Sequence, residues 1–148
     1  MKHILAATVL TVAFLMTAGP VAAAASYLSF LAHEGPALIA GGSLITTTSD
    51  DLKAGSYSSS LDDLNSLYAM SKSEVIWLNA HQPQSCYRTF WGTVRNLWTQ
   101  LREAAATGHA AISDSDYAAL DDYLGHIALA TKYLNSANGQ MKQKRCGY

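Results

Sequence analysis

Along this chain apolar positions recur every three or four residues in several stretches, and no stretch alternates convincingly with the period of two that a half-buried strand requires. The pattern predicts an all-α protein, a small three- or four-helix bundle. From Ser26 to Thr46 the apolar positions include Tyr27, Phe30, Leu31, Leu38 and Ile39, but Gly35-Pro36 and Gly41-Gly42 interrupt them. Proline removes a helical N–H and crowds the preceding turn, so a broken or kinked helix is expected there. Thr47 to Ser60 is mostly Thr, Ser, Asp and Gly and reads as a connecting loop.

A second helix is expected to begin near Ser60, where a serine cap and the acids Asp62 and Asp63 suit the positive end of a helix. Its inner face would be Leu61, Leu64, Tyr68, Ser71, Val75 and Leu78, and it would end before Pro83. The third would run from Cys86 to Ala106 with Phe90, Val94, Leu97, Leu101 and Ala104 inward, and Gly108 just past its end. The fourth would start near Ser113 or Ser115, bury Tyr117, Leu120, Leu124, Ile127 and Leu134, and stop near Asn138-Gly139.

The first residues have a different pattern. Lys2 and His3 precede an apolar run from Ile4 to Met16, followed by Gly19, Pro20 and the small residues to Ala25. A charged start, an apolar middle and a small-residue end predict a cleaved signal peptide over residues 1–24 and a single helical domain over 25–148. The apolar run is shorter than the ~20 residues that span a bilayer, so an integral membrane protein is not expected. Export would place the protein in the periplasm or outside the cell, where disulfides persist. The two cysteines, Cys86 and Cys146, are then expected to bridge. At 1.5 Å per residue the third and fourth helices would be about 31 and 36 Å long. A short connection would bring the end of the fourth back to Cys86, so helix lengths and bridge agree.

Acidic and basic residues nearly balance, with a formal net charge of −1, so bulk charge offers no reason to expect a nucleic-acid partner. Motifs for catalysis are absent: no G-x-S-x-G, no glycine-rich phosphate loop and no H-E-x-x-H. His33-Glu34 begins like the last of these, but Leu38 and its neighbours supply no second histidine. His33, His81, His109 and His126 fall at no metal-ligand spacing along one helix, so neither metal nor cofactor is expected. His126 and Tyr133, a heptad apart, leave room for a pocket wall and so for a carrier of haem or another flat apolar ligand. A helical enzyme with a site assembled from distant residues ranks behind both.

The most distinctive feature is a ridge on the third helix, where Arg88, Trp91, Arg95, Trp98 and Arg102 follow by steps of three and four. One reading is structural: the indoles close the core edge, the arginine stems cover them, and the arginine heads meet Asp121 or Asp122. The other is a binding surface, since Trp and Arg dominate recognition hot spots. It makes the protein a noncatalytic binding or adaptor module for a protein or an anionic envelope component. Met70, Trp77 and Leu129 lie opposite the expected core stripes and leave room for a dimer face.

Overall fold

A computed structural model describes residues 24–83 and 87–141, which form four α-helices: α1 (Ala24–Ala54), α2 (Tyr57–Ala80), α3 (Arg88–Ser113) and α4 (Tyr117–Met141). The expected signal peptide, but for Ala24, and the expected Cys86–Cys146 bridge lie outside the described residues. Among the described residues there is no strand, and no helix is long and apolar enough to cross a membrane.

In place of the expected broken helix, α1 is one helix of 31 residues with Pro36 inside it. Pro36 is exposed, so its ring lies on the solvent side of a helix whose other face is held by packing. Gly41 and Gly42 do not break the helix either, because they are buried where another helix crosses. A Cβ on Gly41 would lie 3.1 Å from the Trp98 ring of α3. The glycine makes a notch for the indole. The expected loop after Thr46 is helical to Ala54, and the hydroxyls of Thr46, Thr47 and Thr48 donate to the carbonyls of Gly42, Ser43 and Leu44. Hydroxyls that satisfy themselves on the preceding turn let polar residues continue a helix.

Gly55, with φ of 76°, ends α1. Its N–H donates to Leu52 O and the Ser56 N–H to Asp51 O, the paired bonds of a Schellman cap. The chain therefore reverses in two residues, and α2 starts three residues before the expected Ser60. Ser60 is buried inside α2, its hydroxyl bonded to Ser56 O. Similarly, α3 passes the expected stop at Ala106 and continues to Ser113. The cap of α4 is Asp116, whose carboxylate accepts the N–H groups of Ala118 and Ala119.

With these short turns the helices run up and down in chain order. α1 packs on α2, α2 on α3 and α3 on α4, and Trp98 links α3 directly to α1. One hydrophobic cluster spans all four, centred on Leu64, Leu67, Leu78, Val94, Leu97, Trp98 and Ala104. The faces differ in part from those expected. On α2 the buried seam is Ser60, Leu64, Leu67, Ser71, Glu74 and Leu78, which leaves Tyr68 exposed. On α4 the buried positions are Ala119, Tyr123, Ala130, Leu134 and Ala137, while Tyr117 and Leu124 face solvent. Alanines let α4 approach α3 closely, so bulk is a poor guide to its inner face.

Gly108, expected beyond the end of α3, lies within it. A Cβ there would meet Tyr123 Cδ2 at 2.9 Å and Leu64 Cδ1 at 3.3 Å, whereas one on Gly125 would meet nothing within 4 Å. Gly108→Ala is therefore expected to destabilise by about 1–3 kcal/mol through overpacking. Gly125→Ala should stabilise by up to about 1 kcal/mol through helix propensity. Urea unfolding followed by circular dichroism reads both, and equal effects would contradict this helix contact.

Candidate functional site

At the end of the bundle where α1 and α3 begin and α2 finishes, polar residues replace apolar ones on the buried seams. Glu34 follows Phe30 by one turn and precedes Leu38 by another, all three on the inner face of α1. Glu74 continues the seam of Leu67 and Ser71 on α2. Since α1 and α2 are antiparallel, the early part of one meets the late part of the other. Glu34 is 1 % exposed and Glu74 9 %.

The contacts of the two acids differ. The Trp98 indole N–H donates to Glu34 Oε2 at 2.7 Å, a buried bond from α3. The His33 Nε2–H donates to Glu74 Oε2 at 2.8 Å, since a carboxylate can only accept. His33 is in turn stacked on Trp77, ring centroids 3.7 Å apart, and Trp77 is stacked on His81 at 4.4 Å. Glu34 Oε1 is buried and has no hydrogen-bond partner among the described residues. Burial, with a smaller contribution from the neighbouring Glu74 charge, raises the Glu34 pKa to about 7 against the opposing Trp98 bond. One donor atom each from His33, Glu34 and Glu74 lie within 4.8 Å of one another.

The five residues of the expected ridge are placed unevenly. Trp91 and Trp98 are both core residues, 8 % and 0 % exposed. The Trp91 N–H donates to Leu78 O at 3.0 Å, so each indole spends its polar atom inside the bundle. The Arg95 guanidinium lies over the Trp91 ring, 5.2 Å from its centroid, and touches the Asn79 side chain at 3.4 Å. Arg102 pairs with Glu103 at 2.7 Å, its neighbour in sequence, and not with Asp121 or Asp122 as expected. Arg88, the first residue of α3, is exposed. Among the described residues neither Arg88 nor Arg95 has a carboxylate at ion-pair distance.

His126 Nδ1 is hydrogen-bonded to Gln100 Oε1 at 2.8 Å, and Tyr133 is partly buried beside the core. Met70 and Trp77 pack against the core, because α2 is covered by α1 on one side and α3 on the other. Of the three residues considered for a dimer face only Leu129 is exposed. The His33/Glu34/Glu74 cluster was not legible as a unit, since Glu74 is far away in sequence. The available signal was the spacing Leu64, Leu67, Ser71, Leu78, which puts position 74 on the same seam. No family model, curated protein or solved structure matches this chain.

Proposed function

We propose that the protein is an exported, noncatalytic binding module that holds an anionic group of a protein or envelope component through Arg88 and Arg95. The observation that carries this reading is the Arg95 guanidinium, held over Trp91 and with no carboxylate at ion-pair distance among the described residues. Its plane is supported by Trp91, and Trp91 is itself anchored to the α2 backbone. Preorganised arginine loses less freedom on binding than a free side chain. Arg88 stands two helical turns earlier on α3, and its charge adds to the positive end of that helix. The pair would face the same partner. The indoles act as supports, not as contact surface, which narrows the binding ridge to its first two arginines. Export rests on the charged, apolar and small-residue succession from Lys2 to Ala25.

The test is binding of the purified exported protein to immobilised heparin, a polyanionic glycan. At about 0.5–1 kcal/mol per exposed charged contact, Arg88→Ala with Arg95→Ala should weaken retention roughly tenfold. Arg102→Ala should leave retention unchanged, because Glu103 already occupies that charge. Equal losses in both variants, or a wild-type protein that flows through at low salt, would refute the reading.

A further inference from the structure

We propose that His33, Glu34 and Glu74 form a binding site for one divalent transition-metal ion of the zinc class. Three donor atoms from two helices stand within 4.8 Å of one another. The donors of a tetrahedral zinc site at ~2.0–2.1 Å from the ion are separated by about 3.3 Å, so modest side-chain rotations gather these three around one point. The set is an imidazole nitrogen and two carboxylate oxygens. That mixture suits a borderline ion, whereas calcium and magnesium favour oxygen ligands alone.

A second observation points to a missing partner. Among the described residues Glu34 Oε1 has no hydrogen-bond partner, although the residue is 1 % exposed. An orphaned carboxylate oxygen at such depth is costly, and a cation bound beside it removes the penalty. The other oxygen of the same carboxylate is already oriented by the Trp98 N–H, as metal-ligating carboxylates commonly are by an outer partner. Stacking on Trp77 holds the His33 ring in the same way. The His33 side chain is 35 % exposed, which provides a rim for entry and room for water as a further ligand. Binding would exchange the His33–Glu74 hydrogen bond for two bonds to the ion, the neutral imidazole carrying its proton on Nδ1 so that the Nε2 lone pair is free to ligate.

Cobalt(II) and zinc(II) added to the chelator-treated full chain provide the test. Cobalt should produce a visible absorption band and quench tryptophan fluorescence from Trp77 and Trp98, and equimolar zinc should displace it. Magnesium or calcium in large excess should do neither. Glu34→Gln, which keeps the size of the side chain and its acceptor for Trp98, and His33→Ala should each weaken zinc binding about 100-fold or more. His81→Ala, which alters an exposed neighbour outside the donor set, should change it less than threefold. Absence of cobalt binding to wild type overturns the assignment. Wild-type affinity in folded Glu34→Gln, or calcium binding as tightly as zinc, does the same.

Discussion

Replacing Trp98 with alanine is expected to remove about 3–5 kcal/mol of stability, the range for losing a large aromatic from a packed core. Trp98 is fully buried, and its ring fills the notch at Gly41 while its N–H reaches Glu34. The substitution therefore opens a cavity between α1 and α3 and also leaves a buried carboxyl oxygen without its donor. A domain of this size has ~5–15 kcal/mol in total, so the variant should unfold at far lower urea. Trp98→Phe separates the two losses: it retains most of the volume and should lose about 1–3 kcal/mol through the unpaired Glu34 oxygen. A loss under 1 kcal/mol in the alanine variant, measured by chemical unfolding, would show that α1 and α3 do not meet as described.

The second large effect is a dependence of stability on pH, measured with chelator present so that no ion contributes. Glu34 has an unfolded value near 4.5 and a folded value raised to about 7, chiefly by burial. Between these values the folded protein holds a proton that the unfolded chain has released. Stability is then fully present below pH 4.5, falls as pH rises toward 7 and levels off above it. At 1.36 kcal/mol per pH unit the whole drop is about 3 kcal/mol. Glu34→Gln, which carries no titrating proton, should remove the slope and be more stable than wild type at pH 8 by a similar amount. The other groups facing Glu34 are Glu74, paired with His33, and the uncharged Trp98. An unchanged slope in Glu34→Gln would mean that another group carries the titration.

Helical class and the rough places of the last three helices were legible in the sequence because apolar spacing of three and four residues survives local exceptions. Ends and faces were less so. Gly41-Gly42 and Gly108 read as punctuation, yet each lies in a helix where a side chain from another helix crosses, Trp98 at Gly41 and Tyr123 at Gly108. A notch and a terminus have the same local composition, and only the neighbour across the interface distinguishes them. Thr46 to Thr48 read as loop because their hydroxyls can compete with the backbone. In the helix they bond one turn back instead.

The candidate site was hidden for a related reason. Assigning the α2 face by apolarity selects Tyr68 and Val75 and passes over Leu67 and Glu74, although the latter pair continues the buried heptad. A buried acid contradicts the rule used to find the core, and such contradictions concentrate where structure serves something besides stability. The Trp/Arg ridge was visible as a periodicity. Its partition into two buried indoles, one neutralised arginine and two guanidiniums without a carboxylate partner among the described residues depends on Glu34, Leu78 and Glu103.

Packing in chain order also shapes how the molecule reaches its native form. Most tertiary interfaces join helices that are adjacent in the chain, and two of the three connections are tight turns. Each hairpin therefore closes only a short stretch of polypeptide, where the entropy lost in bringing the ends together is small. Chains built from such near-neighbour contacts cross low kinetic barriers. The exceptions join α3 to α1 across the intervening α2, Trp98 at Gly41 and Glu34 and Phe90 against Phe30, so closing these longer-range contacts would be the late step that fixes the register of the first helix.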